Sequence, residues 1–162
     1  MLNSLVMFLL FLAVTFSSQP NLEAQPGSTF CNGSLWKHVY KPQRLKKLQP
    51  SCITVTGTIG KSKEEKYGEL HVQLKLDRKP ELAKLLNNRN RKAQNGNLVL
   101  VFVCMNKVTQ PEAVAACKKF TQKIQIPDEG THVMVTGDYV EDNEPKHGWR
   151  EIHPVTSILP IL

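Results

Sequence analysis

The sequence predicts a small, mainly β protein, and three observations lead to that prediction. Five separate segments carry strand-like apolar patterns, polar turns divide them at short intervals, and only two short stretches have helical spacing. The chain has 162 residues, of which 41% are hydrophobic and 22% charged, and these values are typical of a folded globular protein. The length excludes two large enzymatic domains and predicts one domain, with at most a tail.

The first two predicted strands alternate apolar and polar residues. Residues 51–60 (SCITVTGTIG) place three apolar side chains on one face, namely Ile53, Val55 and Ile59. A charged hairpin at residues 61–66 leads to the clearest strand, residues 67–77 (YGELHVQLKLD). The core face of this strand consists of Leu70, Val72, Leu74 and Leu76. The opposite face is expected to meet solvent or a ligand and consists of Glu69, His71, Gln73 and Lys75.

The middle of the chain predicts two short helices on either side of a buried strand. Residues 80–87 (PELAKLLN) have leucines at helical spacing, and a basic loop is expected at residues 89–97. Residues 97–105 (NLVLVFVCM) are apolar on both faces, which is typical of a fully buried strand. Residues 109–112 (TQPE) match a capping box and predict a helix that ends near Phe120.

Two further strands are predicted near the end of the chain, at residues 131–140 (THVMVTGDYV) and 149–158 (WREIHPVTSI). The expected core face of the first of them consists of Val133, Val135 and Tyr139. Gly57 and Gly137 interrupt the apolar faces of the first and fourth strands, and each predicts a bulge or a sharp coil of its strand. Pro154 places the last strand at a sheet edge or on a bulge.

The predicted order is strand, strand, helix, strand, helix, strand, strand. Five short strands with a helix between the third and the fourth follow the order of an OB-fold, a small Greek-key β-barrel. The two strand glycines fit this prediction because strands must coil strongly where a small barrel closes. The helix between the second and third strands departs from that order, and an α+β roll with a five-stranded sheet is the alternative.

Four segments of the chain resemble a known group of proteins. They are CITVTGTI, GELHVQLKLD, AVAAC and the closing HVMVTGDYVEDNEPKHGWREIHPVTSI. This part of the chain, residues 38–158, is similar to a family of small secreted bacterial and archaeal proteins of unassigned function, which end in a similar His-Gly-Trp-x-Glu-Ile-His-Pro-Val segment. The resemblance implies an OB-like domain and no particular activity. Members of the family often carry Asp-Gly-Asp before the second-strand histidine, where this chain has Tyr67-Gly68-Glu69.

The beginning of the sequence predicts export. Residues 1–24 contain an apolar run that is shorter than the roughly 20 residues of a membrane span and fits a secretory signal peptide. Residues 25–50 form a basic, proline-containing arm, and residues 51–159 form the predicted barrel domain. We therefore expect a secreted or cell-envelope protein, extracellular or periplasmic, that is monomeric and has no integral membrane span after cleavage. An uncleaved N-terminal anchor is the alternative.

The four cysteines support the same compartment. No C-x-x-C pair is present, and an even number of cysteines in an exported chain favours disulfides. Of the three possible pairings, we favour Cys31 with Cys52 and Cys104 with Cys117, because each closes a short loop. Free buried thiols are the alternative.

Histidines and carboxylates of the second and last strands form the first candidate site. Glu69 and His71 lie two residues apart on one strand, as do Glu151 and His153 on the other, and residues two apart on a strand point the same way. Such a cluster can bind a divalent metal such as Zn²⁺, and the candidate ligands are His71, Glu151 and His153. A metal-dependent hydrolase or nuclease would follow. The spacing matches no zinc motif, and a structural role for these residues is the other interpretation.

The basic hairpins form the second candidate site. The formal net charge is +7, and an OB-fold commonly binds oligonucleotides or oligosaccharides. The sequence therefore predicts an exported binding module for an anionic oligosaccharide or nucleic acid, with a merely solvated basic surface as the alternative. We assign no catalytic residues, because no G-x-S-x-G motif and no glycine-rich phosphate loop occur. The expected ligand-binding residues are Lys63, Lys66, Glu69, His71, Gln73, Lys75, Arg89, Arg91, His147, Trp149, Glu151 and His153.

Overall fold

Five β-strands form a closed barrel in the computed structural model of the protein, which describes residues 31–162. The predicted signal peptide at residues 1–24 lies outside the described residues. The strands are β1 (Leu45–Glu64), β2 (Leu70–Leu76), β3 (Leu98–Phe102), β4 (His132–Asp142) and β5 (Arg150–Pro160). Two short helices, α1 (Pro80–Ala83) and α2 (Asn88–Ala93), lie between β2 and β3. Single 3₁₀ turns or short 3₁₀ helices span Gly33–His38, Pro42–Arg44 and Pro111–Ala113.

The strand order around the ring is β1-β2-β3-β5-β4. The long strand β1 pairs antiparallel with both β2 and β4, and this double pairing closes the ring. Strands β3 and β5 are parallel, while β2–β3 and β4–β5 are antiparallel. The predicted mainly β class with few short helices is confirmed, and the five strands follow the order of a Greek-key barrel of the OB type.

The barrel interior is filled by the apolar faces that the period-two patterns predict. The buried core includes Ile53, Val55, Ile59, Val72, Leu74, Val133, Val135 and Tyr139, all of which were expected on core faces. Strand β3 is buried along its whole length, as the continuous apolar run predicts. Its inner residues join the barrel core, whereas Val99 and Val101 face outward and pack with Trp149 in a separate small cluster.

The predicted bulge at Pro154 is present opposite Gly137. Gly137 pairs with Val155 and Tyr139 pairs with Ile152, so β5 carries one more residue than β4 in this interval. A Cβ atom on residue 137 would lie 2.5 Å from the carbonyl oxygen of Pro154. Glycine is therefore needed here because the two backbones approach each other too closely for a side chain.

Gly57 marks a close approach of strands rather than a bulge. A Cβ atom on this residue would lie 2.5 Å from the carbonyl oxygen of Lys75. The irregularity between β1 and β2 lies further along the strand, between Ile59 and Ser62. The prediction that Gly57 allows β1 to coil is consistent with this position, since the residue pairs with both β2 and β4.

The helical predictions were only partly right. The helix expected at residues 80–87 is reduced to α1, and the expected basic loop contains α2, because Asn87 and Asn90 form a reciprocal capping box. The helix expected to end near Phe120 is absent beyond the single turn Pro111–Ala113. Its capping residues are used otherwise, since the backbone amides of Thr109 and Gln110 donate to the carbonyl oxygen of Lys66.

The predicted N-terminal arm is part of the folded domain from Cys31 onward. Strand β1 begins at Leu45 rather than at residue 51, so the barrel includes the end of the arm. Leu35 and Val39 pack against Val103 and Val140, which covers the outer surface of the barrel at this point. The two predicted disulfides, Cys31–Cys52 and Cys104–Cys117, are both present and leave no free cysteine in the chain. Within residues 31–162, every helix falls short of what a membrane-spanning helix requires.

Candidate functional site

A cavity of about 190 Å³ opens on the outer face of β2 and β3, between the β1–β2 hairpin and the β4–β5 hairpin. We call it the hairpin cavity. The side chains that give it chemistry are Lys61, Lys63, His71, Gln73, His147 and Trp149. The first two come from the end of β1, the next two from β2, and the last two from the β4–β5 hairpin. Register explains the neighbours, because Lys63 on β1 lies directly opposite His71 on β2.

His147 is held on the cavity wall by a contact at one ring nitrogen and by a stack on the face of its ring. Its Nδ1 atom lies 2.7 Å from Oδ2 of Asp142, and the ring stacks on Trp149 with centroids 4.1 Å apart. The hairpin that carries it is fixed by Arg89, whose guanidinium donates to the carbonyl oxygens of Lys146 and His147. The contact with Asp142 leaves Nε2 as the ring nitrogen available to a ligand.

Asp142 remains ionised beside this histidine. Burial alone would raise the pKa of Asp142, but hydrogen bonds from His147 and the amide of Glu144, together with Arg44, hold it below its ordinary value. The Arg44 Nε atom lies 3.6 Å from Oδ2 of the same carboxylate. The side chain of Asp142 is fully buried, so it acts on the cavity only through His147.

His71 lies on the other side of the same cavity. Its side chain is 13% exposed, and its Nε2 atom lies 3.5 Å from Oε2 of Glu69. The ring also meets Tyr67 edge-on, with centroids 6.1 Å apart. Burial and the neighbouring Glu69 carboxylate raise the pKa of Tyr67 well above its ordinary value, so this phenol keeps its proton.

Trp149 forms the apolar floor of the hairpin cavity. The residue is only 8% exposed and packs on Val99 and Val101 of β3. Its indole Nε1 is buried and meets no hydrogen-bond acceptor among the described residues. A buried donor of this kind is uncommon, because leaving it unpaired costs about 1–3 kcal/mol.

Amide side chains line the far end of the hairpin cavity. Gln73 donates to the side-chain oxygen of Gln94 at 3.3 Å and accepts from the side-chain amide of Asn97 at 3.2 Å. Gln73 and Gln94 both border the cavity. This chain of amides fixes Gln73 and leaves the amide group of Gln94 as a further possible donor.

A buried cluster of charges lies behind the cavity. His153 is fully buried between two carboxylates, with Nε2 3.3 Å from Glu69 and Nδ1 3.4 Å from Glu151. Glu69 also accepts a hydrogen bond from the backbone amide of Tyr40 at 3.0 Å and lies 3.6 Å from the guanidinium of Arg44. The N-terminal segment thus covers these charges from outside, through Tyr40 and Arg44.

The protonation states of this buried cluster follow from its pairing. Burial alone would lower the pKa of His153, but Glu69 and Glu151 outweigh burial and raise it to about 9. Burial alone would raise the pKa of Glu69, but His153 and His71 hold it well below the ordinary value. Burial would also lower the pKa of Arg44, whereas Asp142 and Glu69 raise it. At neutral pH we therefore expect a buried imidazolium between two carboxylates.

The predicted metal ligands are separated by this arrangement. His71 contacts Glu69, while His153 uses both ring nitrogens on Glu69 and Glu151. A protonated imidazole has no lone pair for a metal ion. Among residues 31–162, no group of three or more His, Cys, Asp or Glu side chains is placed to hold a metal ion.

A second, shallower cavity of about 280 Å³ adjoins the first. It contains Arg44, Tyr40, Tyr67 and Gln110, and it shares the residues Lys63, Glu65 and His147 with the hairpin cavity. Glu65 is neutralised by Lys63, whose Nζ lies 2.6 Å from its carboxylate. The two cavities together form one recess along the β1–β2 and β4–β5 hairpins.

The structure brings together five of the predicted ligand-binding residues, which are Lys63, His71, Gln73, His147 and Trp149. Three others, Glu69, Glu151 and His153, are buried behind the cavity and cannot face solvent, which corrects the prediction of an exposed face. Lys66, Lys75 and Arg91 are exposed but do not border the hairpin cavity. Arg89 fixes the β4–β5 hairpin instead of facing a ligand.

Gln94 and Asp142 contribute to the site and were missed from the sequence, since Gln94 borders the cavity and Asp142 supports His147. Lys61 also borders the cavity; the sequence places it in the basic β1–β2 hairpin but not among the expected ligand-binding residues. Gln94 and Asp142 lie far from the other residues along the chain, and only the closing of the barrel places them here.

Comparison with protein-family models, with curated proteins and with solved structures found no match to this chain.

Proposed function

We propose that this protein binds single-stranded nucleic acid and that one phosphate of the strand occupies the hairpin cavity. The observation that carries the proposal is the position of the cavity. It lies over β2 and β3 between the β1–β2 and β4–β5 hairpins, where OB-folds bind oligonucleotides and oligosaccharides. We therefore propose the binding role predicted from the sequence for the hairpin cavity, which contains fewer residues than the predicted site.

The charges on the cavity wall favour an anionic ligand. Of the acidic residues of the recess, Glu65 is paired with Lys63, Glu69 and Asp142 are buried and paired with cations, and Glu144 borders only the shallower cavity. Lys61 is exposed at the rim. The groups left to meet a ligand are lysine ammonium and imidazole N–H groups, which can donate to an anion.

Aromatic side chains favour a nucleic acid over an acidic oligosaccharide, whereas the cations of the cavity suit either ligand. The guanidinium of Arg44 is engaged with buried carboxylates, so lysine supplies the point charge that would meet a phosphate. The stacked pair of His147 and Trp149 adds an aromatic wall, on which a base can stack.

We further propose that the protein is exported and meets this ligand outside the cytoplasm. The two disulfides favour an oxidising compartment. The apolar N-terminal run of the sequence supports the same location. The metal-dependent hydrolase considered from the sequence stays a prediction, and no contact in the cavity favours it.

The test is a binding measurement with strands that lack a free 2′-hydroxyl. Fluorescence anisotropy with labelled 2′-O-methyl RNA should show saturable binding whose affinity falls steeply as salt rises. The double variant Lys61→Ala/Lys63→Ala should bind roughly tenfold more weakly and reduce the salt slope by about 1.4, the value for two phosphate contacts on a single strand.

The matched control is Lys75→Ala/Lys79→Ala, which removes the same charge from exposed positions that do not border the cavity. This control should retain most of the affinity. Equal losses in both double variants would show a diffuse charge effect and would overturn the proposal. A heparin-derived oligosaccharide that binds more tightly than the RNA would instead assign the site to an acidic sugar polymer.

A further inference from the structure

We propose that His71 and His147 form a general acid–base pair that cleaves RNA by attack of the 2′-hydroxyl on the adjacent phosphate. The inference rests on the proposed function and extends it from binding to catalysis. It starts from the fact that two histidines, His71 of β2 and His147 of the β4–β5 hairpin, border one cavity of about 190 Å³. A phosphodiester that occupied this cavity would lie beside both rings.

His147 has the surroundings of a general acid. Asp142, 2.7 Å from Nδ1, fixes the ring orientation, while Nε2 is left for the substrate. The stack on Trp149 and the anchoring of the hairpin by Arg89 hold the ring in place before a ligand arrives. Such preorganisation matters because an error of about 1 Å in a catalytic group can cost 100-fold in rate.

His71 has the surroundings of a general base. Its carboxylate neighbour Glu69 is further away, at 3.5 Å, and shares its charge with His153 and Arg44. Glu69 orients the His71 ring through Nε2. Nδ1 is left as the nitrogen that can accept a proton from the substrate.

The rest of the wall supplies what the transition state needs. Negative charge grows on the nonbridging phosphate oxygens during attack, and Lys61 and Lys63 border the same cavity as the two histidines. Trp149 supplies the apolar floor of that cavity.

The reaction balances without a cofactor. His71 accepts the proton of the 2′-hydroxyl, the 2′-oxygen forms a bond to phosphorus, and the bond from phosphorus to the 5′-oxygen breaks. His147 gives its proton to the departing 5′-oxygen. The products are a 2′,3′-cyclic phosphate and a 5′-hydroxyl end, and proton exchange with water restores both histidines.

The experiment compares cleavage and binding in the full exported chain with its disulfides formed. Single-stranded RNA should be cut in the presence of a metal chelator, leaving 2′,3′-cyclic phosphate ends that mass spectrometry identifies. His71→Asn and His147→Asn should each lower the cleavage rate roughly 100-fold or more. Both variants should bind 2′-O-methyl RNA more weakly than the wild-type protein but still saturably, and this binding shows that they are folded.

His132→Asn, purified in parallel, is the control. His132 also pairs with an aspartate, Asp77, at 3.0 Å, but it does not border the cavity, so this variant should cleave at the wild-type rate. Binding of 2′-O-methyl RNA without cleavage of RNA would overturn the inference and leave the proposed function standing. Cleavage that persists equally in all three variants would assign the activity elsewhere and would overturn it too. Absence of binding would remove both.

Discussion

His153 lies at the centre of the charge network that positions the site. Its two carboxylate partners, Glu69 and Glu151, are each 1% exposed, so all three charges have lost their hydration. Such a group is stable only as a set, because removing one partner leaves another charge buried and unpaired. Glu69 also orients His71, which joins this structural network to the cavity wall.

The substitution Glu69→Gln tests this pairing. It keeps the shape of the side chain but removes the charge that faces His153, Arg44 and His71. We expect the free energy of unfolding to fall by about 3–5 kcal/mol, measured by urea denaturation. The control Glu129→Gln lies in an exposed turn and should change stability by less than about 0.5 kcal/mol. Equal losses of stability in Glu69→Gln and Glu129→Gln would refute the buried network.

The pKa of His153 predicts how stability depends on pH. Because this pKa is raised from 6.5 to about 9, the stabilisation from the proton is complete below pH 6.5 and is lost as pH rises through 9. The lowered pKa of Glu69 acts in the other direction, and its contribution is lost as pH falls below 4.5.

Urea midpoints for the wild-type protein should therefore fall steadily between pH 6.5 and 9. An NMR titration of the histidine rings gives an independent readout, in which the His153 ring should lose its proton near pH 9. A midpoint that rises over this interval, or a His153 ring that is already neutral at pH 7, would contradict the assigned charge state.

Alternation along a strand predicts which side chains share a face, but it does not predict whether the outer face is exposed or buried. Period-two alternation correctly places Glu69 and Glu151 opposite the core faces of their strands. Whether that outer face meets water depends on the N-terminal segment, which has no periodic pattern of its own. Tyr40 and Arg44 cover the face through contacts that are distant in sequence. The burial of His153 could therefore not be anticipated.

At the level of elements, strands were predicted better than helices. The strands are long and periodic, so their core faces follow from alternation alone. The segment that ends near Phe120 carries a capping motif, yet the disulfide Cys104–Cys117 and the bonds to the Lys66 carbonyl impose another path. The positive φ of Lys119 also interrupts any continuous helix at this point. Tertiary constraints outweigh local propensity there.

Gly137→Ala tests the close contact between β4 and β5. The new methyl group would lie 2.5 Å from the carbonyl oxygen of Pro154, so the backbone must shift. We expect a loss of about 1–3 kcal/mol in the free energy of unfolding, measured by thermal denaturation. Gly33→Ala is the control, because its methyl group would meet no atom within 4 Å. If Gly137→Ala left the free energy of unfolding unchanged, the bulge would not be constrained.

At the scale of the whole molecule, closing the barrel assembles the site. The β1–β2 hairpin supplies Lys61 and Lys63, and the β4–β5 hairpin supplies His147 and Trp149. These segments are far apart in the sequence and become neighbours because β3 lies between β2 and β5 in the ring. The chain carries a formal net charge of +7, which would speed the approach of a polyanion. The sequence predicts the two hairpins, but only the strand order shows that they border one cavity.

The two tryptophans of the chain allow the most direct test of the proposed nucleic-acid site. Trp149 borders the hairpin cavity and its Nε1 meets no acceptor among the described residues, whereas the Nε1 of Trp36 donates to Asp138 at 2.7 Å, away from the cavity. In a ¹H–¹⁵N spectrum, with the signals assigned through Trp36→Phe, saturating 2′-O-methyl RNA should shift the indole N–H of Trp149 and leave that of Trp36 in place. Movement of the Trp36 signal alone, or of neither signal at saturation, would contradict the account.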